Sequence, residues 1–141
     1  VNQLLLHPYD ESFIKDTARP LLPITPLDKS IVEGFCLPSR FIAIAIGGIW
    51  KERTFHHWLD VIDNIFSKNI ADKVVLVGAN EAKEEASLIC EKSSGKVISF
   101  VGECTFNQTA QVISRATMLI CADGGLLHAA NAVATPIVGL F

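Results

Sequence analysis

The chain has 141 residues, of which 50% are hydrophobic and 19% are charged, and its formal net charge is -3. A disordered protein combines low hydrophobicity with a large charge imbalance, so this composition indicates a folded domain with one core. The 12 basic residues form no polybasic block, which argues against nucleic acid as a partner, and no run of about 20 apolar residues is present to span a bilayer.

Residues 1–40 contain five of the six prolines and show no sustained helical or strand period. Proline has no amide donor and interrupts helices and sheets alike, so we expect a connector or an irregular edge here. The sequence starts at Val1 instead of a methionine and stops at Phe141 directly after an apolar run. Both features predict that the chain is a piece of a longer protein.

From residue 41 onward, short apolar runs alternate with amphipathic segments. Nearly continuous hydrophobicity is typical of strands that are buried on both faces of a parallel sheet. The predicted strands cover residues 41–46, 73–77, 96–101, 118–122 and 137–141.

The first two predicted helices follow the first two strands. Residues 55–68 carry an apolar stripe and follow Thr54 as the N-cap. Residues 81–92 follow Asn80 as the N-cap and begin with acidic side chains, which suit the positive end of the helix dipole. The stripe of the first helix consists of Trp58, Val61, Ile62, Ile65 and Phe66.

The third predicted helix begins with Thr105 and Gln108, which have the spacing of a capping box. The fourth covers residues 126–133 and is stopped by Pro136. The side chains of the third helix that we expect in the core are Phe106, Ala110 and Ile113.

The strict alternation of strands and helices predicts a Rossmann-like α/β domain over residues 41–141, with helices on both faces of a parallel sheet. Ligands of such sheets bind beyond the carboxyl ends of the strands. The loops at residues 47–54, 78–80, 102–105 and 123–125 are therefore the candidates for a site.

The four cysteines form no C-x-x-C pair, and no H-x-x-x-H motif lies nearby to complete a zinc site. Three of them lie within or beside apolar runs, so we expect buried, reduced thiols and a cytoplasmic protein. The cysteines are Cys36, Cys90, Cys104 and Cys121.

The loop after the fourth strand carries the strongest functional signal. Asp123, Gly124 and Gly125 lead directly into a helix, and His128 follows about one turn later. Two glycines leave backbone amides uncovered, and amides at a helix N-terminus favour a phosphate or diphosphate, to which His128 can add a hydrogen bond or a proton. The alternative is structural: Asp123 caps the helix, the glycines form the turn, and His128 is half-buried with its partners satisfied.

Two other loops hold weaker candidates. Lys51 and Arg53 can neutralise a diphosphate, although a solvated turn with ordinary surface charges fits them equally well. Glu81 can accept a hydrogen bond from a ribose hydroxyl or simply favour the helix dipole. His56 and His57 are expected to be structural or exposed.

No G-x-G-x-x-G, P-loop or G-x-S-x-G motif follows a strand, which argues against dehydrogenases, P-loop NTPases and serine hydrolases.

The run from Ala122 to Phe141 is similar to the signature D-[ST]-G-x-x-H-x-A-A-A-x-x-x-P-x-[IV]-x-L-[FY] of glycosyltransferase family 9, the ADP-heptose:lipopolysaccharide heptosyltransferases. The segment from Lys51 to Trp58 resembles the family's K-x-W-P-x-x-x-[WFY] motif. Three departures matter: Gly124 replaces the hydroxyl residue of the signature, Leu126 stands where the family often has a proline, and Thr54 replaces the proline of the second motif.

The resemblance implies the residues of a donor site. Lys51 contacts the diphosphate of a nucleotide-sugar, and residues 123–125 with His128 line its diphosphate and sugar. Glu81 approaches the ribose, and the region of Cys104 lies beside the adenine.

The resemblance also implies the two-domain GT-B fold, of which this chain is the C-terminal half, with residues 1–40 as the tail of the preceding domain and the interdomain linker. It implies an inverting glycosyltransferase that moves a sugar such as heptose from a donor such as ADP-heptose to a lipopolysaccharide-type or other glycan acceptor, with no cofactor and no metal. We expect the general base outside this chain, the fragment alone to be inactive, and any peripheral membrane association to come through parts outside it. Two alternatives stay open: a noncatalytic nucleotide-sugar-binding or assembly module, and a GT-B-like sugar-nucleotide epimerase.

Overall fold

A computed structural model describes residues 21–47, 55 and 57–140. Its strands are β1 Phe41–Ala45, β2 Lys73–Val77, β3 Val97–Ser99, β4 Leu119–Ala122 and β5 Ile137–Leu140. They form one parallel sheet in the order β3-β2-β1-β4-β5. All five predicted strands are present, and β3 is shorter than expected.

Helices cover both faces of this sheet, as the alternating pattern predicts. They are α1 Pro26–Glu33, α2 Trp58–Ser67, α3 Lys83–Lys92, α4 Phe106–Ser114 and α5 Gly125–Ala132, with a 3-10 turn at Asn80–Ala82 before α3. One cluster of buried side chains lies beneath α2 and α3, and a second lies beneath α1, α4 and α5. The Rossmann-like α/β fold is confirmed.

The central strand β1 shows why the apolar runs predict the sheet so well. Its alternate side chains point to opposite faces: Ile42 and Ile44 join the cluster beneath α2 and α3, whereas Phe41 and Ala43 join the other. All four are at most 1% exposed. A strand that is buried on both faces has no polar position, and its sequence is therefore a continuous apolar run.

Helix α1 replaces part of the irregular structure that the prolines predict for the first forty residues. The Thr25 hydroxyl accepts a hydrogen bond from the Asp28 amide, and the Asp28 carboxylate accepts one from the Thr25 amide, which closes a capping box. The Thr25 hydroxyl, which donates to the Asp28 carboxylate over 2.7 Å, and then the Thr25 amide hold the pKa of Asp28 below its ordinary value. Pro26 occupies the first turn, where a missing amide donor does no harm.

Helix α1 is also anchored by tertiary contacts. Val32 is fully buried beneath it, and the ring of Phe35 stacks on Phe100 with centroids 4.6 Å apart. The side-chain amide of Asn107 donates to the carbonyl of Pro23 over 3.1 Å, which ties α4 to the segment before α1.

The ends of the other helices confirm some expectations and correct others. The capping box of α4 is present, with Gln108 N to Thr105 Oγ1 at 3.2 Å and Thr105 N to Gln108 Oε1 at 3.0 Å. Asn80 is wrong as an N-cap, because it begins the 3-10 turn that precedes α3. Phe106 is wrong as a core residue, because it is 50% exposed. Thr54 lies outside the described residues.

The cysteines are free thiols in the described part of the chain. Cys121 is buried as expected, Cys90 and Cys104 are partly buried, and Cys36 is exposed, against expectation. Burial raises the pKa of Cys90, Cys104 and Cys121, and the charges of Glu103 and Asp123 add to the rise at Cys104 and Cys121 respectively.

No helix among the described residues has the length and apolar character needed to cross a membrane.

Candidate functional site

The strand order places Gly47, which follows β1, and Asp123, which follows β4, at neighbouring positions on one edge of the sheet. The chain runs outward from β1 in both directions along the sheet, so β1 and β4 are neighbours that lead to opposite sides. A crevice opens at such a switch point, beyond the carboxyl ends of the two strands. Gly47, which follows β1, and Asp123, which follows β4, therefore lie beside the same crevice.

The 3-10 turn packs closely against two glycines, Gly47 after β1 and Gly102 after β3. Gly47 has φ +78, and a methyl group on it would lie 2.6 Å from Cβ of Ala82. Gly102 has φ +68, and a methyl group on it would lie 2.9 Å from Cα of Asn80. Only glycine allows both the positive φ and this close approach. Glu81, which is exposed, lies in the turn and thus at the same edge of the sheet as the crevice.

The N-terminus of α5 is open. Its N-cap is Gly124, and among the described residues no side chain accepts a hydrogen bond from the first turn. Asp123 precedes the N-cap, so the structural alternative in which it caps the helix is wrong. His128 is exposed and makes no hydrogen bond or ion pair with another described residue, so the half-buried, satisfied histidine is wrong as well.

The two glycines at this helix end are not required by packing. Gly124 has φ 164, which is extended backbone, and a methyl group on it would meet nothing within 4 Å. A methyl group on Gly125 would make an ordinary contact of 3.5 Å with Cε2 of Phe106. What these glycines do provide is a backbone with uncovered amides, which is the geometry that binds phosphate groups at helix N-termini.

An exposed carboxylate completes the described part of the crevice. Asp123 adjoins the open helix end, and its charge contributes to the raised pKa of the Cys121 thiol after burial, the larger cause. A carboxylate accepts hydrogen bonds from hydroxyl groups, so this position suits a sugar better than a second phosphate.

Phe106 belongs to this region although the sequence predicts it in the core, and three of the candidate residues lie outside the described part of the chain. Phe106 lies beside Gly125 with half its surface exposed, although its position in the third helix predicts a core side chain. The only signal in the sequence is its place directly after the N-cap Thr105, where a side chain can point along the sheet edge. Lys51, Arg53 and His56 lie outside the described residues.

A shallow cavity of about 140 Å³ lies elsewhere, where the ends of α2 and α3 meet the start of β3. It opens at the amino edge of the sheet, and ligands of open α/β sheets bind at the carboxyl edge, so we do not assign it to the site. Its lining residues are Ile62, Asp63, Phe66, Lys92, Ser93, Ser94 and Lys96.

The family model for glycosyltransferase family 9 (heptosyltransferase) matches residues 20–141. A comparison with the curated proteins finds no match. Among solved structures, a family 9 glycosyltransferase from Veillonella parvula DSM 2008 has a TM-score of 0.75 at 18% identity, over 88% of this chain and 37% of that one. The ADP-heptose lps heptosyltransferase II of E. coli also has a TM-score of 0.75, at 21% identity, over 90% of this chain and 41% of that one.

The E. coli heptosyltransferase WaaC, solved with ADP-2-deoxy-2-fluoro heptose, has a TM-score of 0.63 at 22% identity, over 92% of this chain and 42% of that one. The chain thus spans between 37% and 42% of the length of these solved proteins. At such identities the likeness is one of fold, and it agrees with the Rossmann-like sheet described above.

Proposed function

The chain belongs to glycosyltransferase family 9, and we propose that it supplies the donor-binding half of an enzyme that transfers a sugar from a nucleotide-sugar to a lipopolysaccharide-type or other glycan acceptor. The observation that carries the proposal is the open N-terminus of α5, where two glycines that packing does not require leave the first-turn amides uncovered. ADP-heptose is the proposed donor, since solved relatives are described as ADP-heptose enzymes or contain ADP.

In the proposed mechanism, the donor diphosphate lies against the amides of Gly124 and Gly125. The helix dipole and these amides stabilise the negative charge that grows on the diphosphate as the sugar departs. His128, exposed one turn further along, donates a hydrogen bond to the same group, and Lys51 adds a positive charge. Asp123 accepts hydrogen bonds from the sugar, and Glu81 accepts them from the ribose.

We assign the binding of the acceptor and its activation by a general base to a part of the protein outside this chain. The solved relatives are more than twice as long as this chain, which leaves room for a second domain with the acceptor site and the general base. We propose an inverting transfer, in which that base activates the acceptor hydroxyl, and a cytoplasmic enzyme whose contact with a membrane, if it has one, lies in that second domain.

Replacing His128 by alanine tests the diphosphate assignment. The variant should bind ADP about 5- to 12-fold more weakly, which corresponds to the roughly 1–1.5 kcal/mol that one hydrogen bond contributes at an exposed position. Asn131→Ala is the matched control, because Asn131 is also exposed and lies near the far end of the same helix. Calorimetric titration of the full-length protein measures both; unchanged ADP affinity in His128→Ala and in Lys51→Ala refutes the site.

A noncatalytic binding module is the second candidate, because Gly124 removes the hydroxyl that the family signature places beside the diphosphate. Release of nucleoside diphosphate from a nucleotide-sugar separates the candidates. Release that depends on an acceptor supports transfer, whereas binding without release supports the module. Release without any acceptor identifies an epimerase-like enzyme instead.

A further inference from the structure

We propose that the shallow cavity at the amino edge of the sheet binds a phosphorylated sugar, at a site separate from the donor crevice. The cavity lies between the ends of α2 and α3 and the turn into β3, at the edge of the sheet opposite Asp123 and Gly124. This inference does not depend on the proposed function, because no residue of the cavity belongs to the donor site. Its starting observation is a concave surface of about 140 Å³ that combines lysine and serine side chains with an apolar wall.

Two lysines give the cavity its positive charge. Lys92 is the last residue of α3, and Lys96 directly precedes β3. The Lys96 ammonium lies 5.1 Å from the centroid of the Phe66 ring, a cation–π contact that restrains the long side chain. Among the described residues, neither lysine has a carboxylate oxygen within 4.0 Å. Both ammonium groups are therefore available to a phosphoryl group, whose three oxygens accept hydrogen bonds.

The turn at residues 93–95 adds backbone donors. Ser93 has φ -100 and ψ 16, and Ser94 and Gly95 follow with φ +48 and +74. Successive amides in such a turn form a small concavity that binds anions. The Ser93 amide donates to the carbonyl of Cys90 over 3.2 Å. The amides of Ser94 and Gly95 donate to no other described residue, which leaves them available to a ligand.

Three hydrogen bonds hold this turn in place. The Ser93 hydroxyl donates to the carbonyl of Ile89 over 2.6 Å, which ties the turn to α3. The Lys96 amide donates to the carbonyl of Ser93 over 3.0 Å, and Lys73 Nζ donates to the carbonyl of Gly95 over 2.6 Å. Because Lys73 lies in β2, the turn is tied to the sheet as well. A backbone that is fixed in advance loses little conformational freedom on binding.

The charges around the cavity favour an anion with modest strength. The macrodipole places roughly half a negative elementary charge at the C-terminus of a helix, and α3 ends here. Asp63 adds one further negative charge to the wall. The two lysine charges outweigh both together, so the surface attracts one phosphoryl group.

The rest of the wall favours a sugar over a bare phosphate ion. Asp63 repels a second negative charge but accepts hydrogen bonds from hydroxyl groups. Ile62 and Phe66 supply an apolar surface that suits the C–H groups of a sugar ring. A water molecule needs roughly 10–15 Å³ of such space, so the cavity has room for about ten waters, or for a ligand the size of a monosaccharide.

Calorimetric titration of the full-length protein with glucose 6-phosphate tests the inference. The sugar phosphate should bind, and Lys92→Gln and Lys96→Gln should each weaken its binding about 5- to 10-fold, the effect of losing one hydrogen bond to a charged group at an exposed position. Lys29→Gln is the matched control, because Lys29 is an exposed lysine of α1, on the other face of the sheet, and it should leave the affinity unchanged. Unchanged affinity in both cavity variants, or no binding at tens of millimolar, overturns the inference.

Inorganic phosphate as a second probe separates a sugar phosphate from a free anion. The native protein should prefer the sugar phosphate, and Asp63→Ala should reduce that preference because it removes both the repulsion and the hydroxyl acceptor. Equal affinity of the native protein for the two probes contradicts a sugar ligand. ADP should not compete with the sugar phosphate, since the two sites lie at opposite edges of the sheet. Competition would place the probe in the donor crevice, and it would overturn this inference while the proposed function stands.

Discussion

Replacing Gly124 by aspartate should stabilise the protein and at the same time lower its ADP affinity by about 100-fold. Both effects have one cause. Gly124 is the N-cap of α5, its extended φ suits any residue, and the space around its Cα is open. An aspartate there can accept hydrogen bonds from the first-turn amides, and it thereby occupies the position proposed for the diphosphate.

The expected gain in stability and the expected loss of ADP affinity can both be estimated from typical interaction energies. Aspartate is a better cap than glycine and restricts the unfolded chain, which together add roughly 0.5–1 kcal/mol to the free energy of unfolding. A carboxylate about 5 Å from one phosphate charge repels it by roughly 3 kcal/mol at an effective dielectric constant of 20, which is about 100-fold in affinity. Urea denaturation and calorimetry measure the two effects.

Two further variants at the same position separate charge from capping. Gly124→Asn caps the helix without a charge and should lower the ADP affinity far less than Gly124→Asp. Gly124→Ser introduces the hydroxyl of the family signature and should bind ADP at least as well as the native protein. If Gly124→Asp binds ADP normally, the diphosphate does not lie at this helix end.

Replacing Gly78 by alanine should lower the free energy of unfolding by about 2–4 kcal/mol. Gly78 follows β2 with φ +157, and a methyl group on it would lie 2.5 Å from the carbonyl oxygen of Ile46. That oxygen belongs to the backbone beside the central strand and cannot move aside cheaply. Steric overlap and an unfavourable φ each contribute about 1–2 kcal/mol.

Gly95→Ala is the control for the Gly78 substitution. Gly95 also has a positive φ, +74, but a methyl group on it would meet nothing within 4 Å. Its substitution should therefore cost only the conformational part, about 1 kcal/mol. Urea denaturation compares the two variants, and equal destabilisation would show that crowding against Ile46 is not what requires a glycine at position 78.

The elements that depend on local chemistry are the ones that the sequence predicts well. Buried parallel strands require continuous apolar runs, and β1 is an example. The capping box at Thr105 and Gln108 involves residues three apart, so its pattern is visible in the sequence.

The missed features depend on contacts between distant segments. Helix α1 is held by Val32 in the core and by the stacking of Phe35 on Phe100, and neither contact leaves a periodic pattern in a short, proline-rich segment. Asn80 lies in a 3-10 turn that packs against Gly102, a glycine that follows another strand.

The candidate site likewise has one part that local sequence predicts and another part that depends on contacts between distant segments. Asp123, Gly124, Gly125 and His128 are consecutive or nearly so, and their meaning follows from a strand that runs directly into a helix. That Asp123 lies beside Gly47, which follows β1, is a consequence of the strand order, which alternation alone does not specify. The exposure of Phe106 depends on how α4 meets α5, which is a tertiary property.

The central claim is that a nucleoside diphosphate binds at the open N-terminus of α5, and two-dimensional amide NMR tests it most directly. When ADP is added to ¹⁵N-labelled protein, the backbone amide resonances of Gly124, Gly125 and Leu126 should show the largest shifts, because hydrogen bonds from these groups to phosphate oxygens change their environment most. If these three resonances stay in place while ADP at millimolar concentration shifts others, or shifts none, the claim is contradicted.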